Sequence, residues 1–149
     1  MTTARDIMSK KLVSLETSVS ATEIAKLMAK NNVSCIILTK DEKPFGIVTE
    51  RDLLTKVTAQ DKKSSDLTAK EVMSSPVTLV SSMTPVEEVA QKMIDSKVRR
   101  VIVADDGQAV GIITVTDFVK NLNSIISDSG EYKKNIYENL FEEYEFWNY

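Results

Sequence analysis

Gly46-Ile47-Val48-Thr49-Glu50-Arg51-Asp52 returns 65 residues later as Gly111-Ile112-Ile113-Thr114-Val115-Thr116-Asp117. In each copy a glycine precedes two β-branched residues, a threonine follows, and an aspartate stands three residues after the threonine. The β-branched pair has strand character. Thr-x-x-Asp is the spacing at which a helix start is capped reciprocally by side chain and backbone. The stretch therefore reads as a strand running into the first turn of a helix, with a hydroxyl and a carboxylate beside unpaired backbone N–H groups. A helix cap alone accounts for one copy. The recurrence at a fixed period indicates a duplicated unit, and with it a candidate pair of related binding sites. Gly46, inside a strand, marks either tight backbone packing or close approach of a ligand.

Upstream of the first copy, Thr3 and Asp6 predict a short helix over 4–8, and residues 12–15 read as a brief strand. Ser20-Ala21-Thr22-Glu23 is a capping box, behind which Ile24, Leu27 and Met28, with Ala25, share one helical face ending at Asn31-Asn32. The apolar run 34–38 is expected to be a strand covered on both faces, and 45–48 its hairpin partner across the polar turn 40–44. Thr49 then starts the closing helix, which runs through Leu53, Leu54 and Val57.

Residues 58–68 are polar and aperiodic and read as a linker. The pattern resets at Thr68-Ala69-Lys70-Glu71, another capping box, and Met73, Met93 and Val98 match Met8, Met28 and Val33 at the same offset. Thr84-Pro85-Val86-Glu87 predicts a cap, a proline in the first helical position and an acidic first turn, with Val89, Met93 and Ile94 facing inward. Asp105-Asp106-Gly107 predicts a tight hairpin turn between strands at 101–103 and 110–113. Thr114 opens the closing helix, with Phe118, Val119, Leu122 and Ile125 inward, and Ser127-Asp128-Ser129-Gly130 is expected to end the repeat.

A unit of about 60 residues buries little of its surface and is marginal alone. The fold class expected is therefore mixed α/β (α+β): two repeats, 1–57 and 69–126, each a small mixed sheet with flanking helices. Packed with pseudo-two-fold symmetry, they form one compact module.

Composition narrows the function. The 149-residue chain has net charge −3, with 42% hydrophobic and 28% charged residues, so neither nucleic acid nor an anionic membrane is an expected partner. It has no histidine, which removes Ser-His and Cys-His catalysis and imidazole metal ligands. Its single cysteine, Cys35, cannot form an intramolecular disulfide or a cysteine zinc cluster, and reads as a small buried hydrophobe. No apolar run is long enough to span a bilayer, and the N-terminus has no secretory leader, so a cytoplasmic location is expected. No catalytic role, dedicated metal or obligatory cofactor is expected.

Gly-x-x-Thr-x-x-Asp after a hairpin, with a preceding helix that ends in Met-x-x-x-x-Val, resembles the CBS domain, named after cystathionine β-synthase. The resemblance covers 4–57 and 69–126, as a tandem, stand-alone pair. It implies a regulatory module whose inter-repeat cleft binds adenosine-containing ligands such as AMP, ADP, ATP or S-adenosylmethionine. By the same resemblance Asp52 and Asp117 hold the ribose hydroxyls, and Thr49 and Thr114 lie near ribose or phosphate. Where many members carry a proline in the strand after the long helix, this chain has Ile37 and Ile102.

The residue types suit that chemistry. A ribose diol offers two donors and an ionised carboxylate can accept both, each such bond contributing about 1.5–3 kcal/mol. The copies differ in their neighbours: Arg51 beside Asp52 against Thr116 beside Asp117, and Ser34-Cys35 against Arg99-Arg100. Guanidinium suits phosphate, so these arginines either bias one site towards phosphorylated ligands or are solvated and paired with glutamate. Mg²⁺ could accompany a phosphate ligand.

Residues 131–149 hold five Glu, two Lys and seven of the nine aromatics, and lie outside the resemblance. A helix there places Ile136, Tyr137, Leu140, Phe141, Tyr144 and Trp147 on one stripe. It either docks on its own module, clasps a homodimer or takes a protein partner. The leading expectation is a homodimeric sensor of adenine nucleotides; the alternative is a ligand-free assembly scaffold that uses the paired repeats and the aromatic tail.

Overall fold

The computed structural model describes the backbone of residues 1–147, and side chains over 1–127 and 135–142. In chain order the elements are α1 (Ala4–Ile7), β1 (Ser14–Glu16), α2 (Ala21–Asn31), β2 (Cys35–Lys40), β3 (Lys43–Thr49), α3 (Glu50–Lys56) and α4 (Ala69–Val72). They continue as β4 (Leu79–Val80), α5 (Val86–Ser96), β5 (Arg100–Asp105), β6 (Gln108–Thr114), α6 (Val115–Lys120) and α7 (Leu122–Trp147). Helices with two small mixed three-stranded sheets make this an α+β protein.

The chain forms two compact units, a central one of Leu12–Val77 and a terminal one of Met1–Lys11 with Thr78–Tyr149. In the central unit β1 lies parallel to β2, with Ser14 opposite Ile37, and β2 pairs antiparallel with β3. Ile36, Ile37 and Leu38 are all buried, as their continuous apolar run requires. The core gathers Ala21, Ile24 and Met28 of α2 with Ile36, Leu38, Val48, Val57 and Val72. Ser20 caps α2 by accepting the Glu23 N–H at 3.2 Å, and left-handed Asn32 (φ 52°) ends it.

The terminal unit repeats this plan with β4, β5 and β6; β4 is parallel to β5 and the hairpin antiparallel. Each hairpin shifts register at an equivalent point, Leu38/Thr39 and Val103/Ala104. Its core collects Val86, Val89, Ala90 and Met93 of α5 with Val101, Val103, Ile113, Phe118 and Ile125.

The opening helix of each sequence repeat folds on the other repeat's sheet. Ala4 N–H donates to Thr84 O (2.8 Å), and Ser9 exchanges bonds with Ile112 in the terminal unit. In the central unit Ala69 N–H donates to Val19 O (2.8 Å), and Ser74 exchanges bonds with Ile47. Residues 58–66 are not featureless: they hold short 3₁₀ turns at Thr58–Gln60 and Ser64–Asp66, and Thr22 and Ser64 hydroxyls meet at 2.6 Å.

Several sequence expectations need correction. Val119, expected inward, points outward at 55% exposed, as does its counterpart Leu54 at 59%, because α3 and α6 are single short helices whose buried stripe is narrower than the apolar run suggests. Cys35 is half-buried, since it sits at the strand end opposite Thr49 rather than in the strand centre. Pro85 is the cap of α5, while the Thr84 hydroxyl accepts the Ser81 N–H at 3.1 Å. No break occurs at Ser127–Gly130: α7 is one 26-residue helix. Its Tyr137 and Leu140 are buried in the terminal core, with Ile136 and Phe141 packed beside them and the Tyr137 ring tilted against Phe118 at 5.9 Å between centroids. The described part of the aromatic stripe thus docks on its own unit; the side chains of Tyr132, Tyr144, Phe146, Trp147 and Tyr149 lie outside the described residues.

Candidate functional site

Each antiparallel hairpin ends where a capped helix begins, and that junction sets the motif. Register places Cys35 opposite Thr49 and Arg100 opposite Thr114. Of the neighbours singled out in the sequence, Cys35 and Arg100 thus stand across the hairpin from the motif threonine, with Ser34 and Arg99 one residue before them. Arg51 and Thr116 occupy equivalent exposed positions in the first turn that follows.

Both threonines are helix caps. Thr49 N–H and Oγ1 donate to Asp52 Oδ2 at 2.9 and 3.1 Å, and the Asp52 N–H returns to Thr49 Oγ1 at 3.2 Å. Thr114 N–H and Oγ1 reach Asp117 Oδ2 at 2.7 and 3.2 Å. In the first copy the N–H groups expected to be unpaired beside the motif are largely engaged, since Glu50 N–H also donates to Ser34 O at 3.0 Å. Capping orients each carboxylate by its Oδ2 atom and leaves the role of Oδ1 to the surroundings.

There the copies diverge. Lys56 Nζ lies 3.1 Å from Asp52 Oδ1 and also donates to Val72 O (3.0 Å) and Met73 O (3.3 Å). The equivalent residue in the second copy is Asn121, whose side chain donates instead to the Asp117 backbone carbonyl at 2.8 Å. Among the described residues Asp117 Oδ1 has no partner.

The motif glycines are packing sites. A Cβ on Gly46 would lie 2.5 Å from Met73 Sδ; one on Gly111 would overlap Met8 Sδ and stand 3.0 Å from Met8 Cβ. Close approach by a methionine from the exchanged opening segment, not by a ligand, explains the glycine in the strand. Ile37 and Ile102 use the N–H that a proline would lack: they donate to Val13 O (3.0 Å) and Thr78 O (2.9 Å). These bonds continue the link to β1 and β4.

A family model for the CBS domain matches residues 4–59 and 69–124. The chain belongs to the CBS-domain family. An uncharacterized protein of Methanopyrus kandleri is 35% identical over 81% of this chain and 63% of its own length. A Methanocaldococcus jannaschii relative is 26% identical over 79% of the chain and 65% of its own length, so the chain spans somewhat under two thirds of both. Among solved structures, a CBS domain protein of Pyrobaculum aerophilum complexed with AMP matches with a TM-score of 0.73 and 28% identity, covering 85% of this chain and 99% of that one.

Outside the CBS motif, one polar cluster escaped the sequence reading because its members are far apart in the chain. In the terminal unit a cavity of about 330 Å³ is lined by Arg5, Met8, Lys10, Ser82, Asp105 and Val110. Ser82 N–H donates to Asp105 Oδ1 at 3.0 Å and Arg5 Nη2 to Ser82 Oγ at 3.3 Å. The Ser82 backbone and side-chain hydrogen bonds, with help from the Arg5 charge, hold the Asp105 carboxyl below its usual 3.8. No group of His, Cys, Asp and Glu able to hold a metal occurs among the described residues. No described helix is long and apolar enough to cross a membrane.

Proposed function

We propose that this CBS pair is a regulatory, non-catalytic module that binds an adenosine-containing ligand of the AMP, ADP or ATP class through the carboxylates that close its repeated motif. The observation that carries this reading is the matched pair of capped aspartates, each oriented by its threonine at the end of a hairpin. A capped carboxylate retains acceptor capacity, and a ribose diol supplies the donors. The AMP complex of the Pyrobaculum relative supports the ligand class. Thr49, Thr114, Ser34, Cys35, Arg99 and Arg100 form the surroundings of the proposed contacts, with Arg51 and Thr116 at the rim. A ligand signals by binding two arrangements of the module, or of a homodimer, unequally.

Thermal denaturation with AMP, ADP, ATP, S-adenosylmethionine and NAD tests the reading. Stabilisation should grow with concentration for one adenosine ligand. The variant carrying both Asp52→Ala and Asp117→Ala should lose affinity by roughly ten- to a hundredfold or more. Equal stabilisation of that variant and the parent would remove the ribose role.

A second reading, an assembly scaffold, is favoured by Leu54 and Val119, large apolar side chains exposed at equivalent positions of the two repeats. Leu54→Glu with Val119→Glu should then lower the solution mass measured by light scattering while nucleotide binding persists. An unchanged mass speaks against these residues as the interface.

A further inference from the structure

Granted that the motif carboxylates take ribose, the reading on which this step depends, the geometry points to Lys56 as the residue that decides which motif copy is used. Lys56 latches Asp52, and Asp117 is left as the carboxylate that takes the ribose diol.

An ionised carboxylate has about four lone-pair sites and an ammonium has three donors. In the first copy Asp52 Oδ2 accepts two bonds from Thr49, and Oδ1 faces Lys56 at 3.1 Å. The three acceptors around Lys56 Nζ, namely Asp52 Oδ1, Val72 O and Met73 O, match its three donors. The lysine is therefore fixed rather than available for phosphate, and Asp52 retains one acceptor site. Releasing Asp52 for a diol would break a charge-assisted bond and disturb two more.

In the second copy Asp117 Oδ2 takes the same two bonds from Thr114. Its Oδ1 keeps two acceptor sites, the number a diol requires. Lys56 stands four residues after Asp52, whereas the residue four after Asp117 is Asn121, which ties itself to the helix backbone. One missing charge-assisted bond corresponds to roughly ten- to a hundredfold in affinity, enough to separate a used site from an unused one.

Calorimetric titration with AMP tests this on the whole chain. The parent should bind one AMP per chain at its tight site, and Asp117→Asn should weaken that site at least tenfold, far more than Asp52→Asn does. Lys56→Met, which keeps the aliphatic stem, should add a second tight site that disappears on combination with Asp52→Asn. Lys56→Asn, which imports the side chain the second copy already carries at this place, should do the same and guards against a misfolded methionine variant. Two equal sites in the parent, loss of the tight site in Asp52→Asn with Asp117→Asn unaffected, or no gain in either Lys56 variant would overturn the assignment while leaving the ribose reading intact. Absence of AMP binding to the parent and to every variant would instead remove the ribose reading and this inference with it.

Discussion

The smallest residues in the motif have the sharpest steric demand. A Cβ on Gly111 meets Met8 Sδ and Cγ and stands 3.0 Å from Met8 Cβ, so rotating the thioether cannot clear it. At Gly46 the closest clash, 2.5 Å, is with Met73 Sδ, the far end of a flexible side chain, and Ser74 O is 3.3 Å away. Gly111→Ala should therefore destabilise by about 1–3 kcal/mol in urea denaturation, as overpacked sites do, and Gly46→Ala by less. Equal costs would mean that Met8 yields as readily as Met73. Asp105 makes a separate prediction through pH. Its carboxyl is held below 3.8 by hydrogen bonds from Ser82, then by Arg5. A lowered folded pKa adds stability that is present above the unfolded value and is lost as pH falls through the folded one. Asp105→Asn should remove this contribution at neutral pH and flatten the stability loss below about pH 3.8. An unchanged acid limb would show that Ser82 does not favour the ionised form.

The two hairpins differ in turn chemistry, and the difference is measurable. The Asp106–Gly107 loop has φ values of 51° and 79°, the latter on glycine; its counterpart Asp41–Glu42 has 53° and 65°, with a glutamate where glycine is preferred. A left-handed non-glycine residue costs roughly 1–2 kcal/mol, of which glycine's greater unfolded-state freedom recovers about half, so Glu42→Gly should stabilise by about 0.5–1 kcal/mol. Loss of stability in chemical denaturation would mean that the Glu42 side chain makes compensating contacts. Local chemistry of this kind is what made the elements legible from sequence: capping boxes at Ser20, Thr49 and Thr68, Asn32 at the end of α2, and the Asp-Gly turn all lie where the residues indicated. Val119 was misread because periodicity marks an apolar face without saying whether anything covers it. The motif threonines and aspartates were legible from their spacing. The Lys56 latch was only half so: its four-residue spacing from Asp52 is visible, but the anchoring carbonyls of Val72 and Met73 come from the fold.

Across the whole chain, repeat boundaries in sequence and units in space are different cuts. Helix α1 is bonded into the terminal unit and α4 into the central one, because each opening segment pairs with the hairpin of the other repeat. No local pattern announces such an exchange. The terminal unit carries a further burden, since α7 supplies Ile125, Tyr137 and Leu140 to its core, whereas the central core is complete without any comparable helix. Stability should therefore respond to α7 in one unit first. Leu140 is fully buried, and Leu140→Ala should cost about 2–5 kcal/mol. Amide exchange separates the units: protection should fall in α5, α6 and the β5–β6 hairpin while Ile36, Leu38 and Val48 of the central core stay protected. Removing 131–149 should act in the same direction and more strongly, by uncovering Phe118 as Tyr137 and Leu140 leave. Equal loss of protection in both units would show that they unfold as one cooperative body. Unaltered protection in either variant would mean that α7 adds nothing to the core on which it rests.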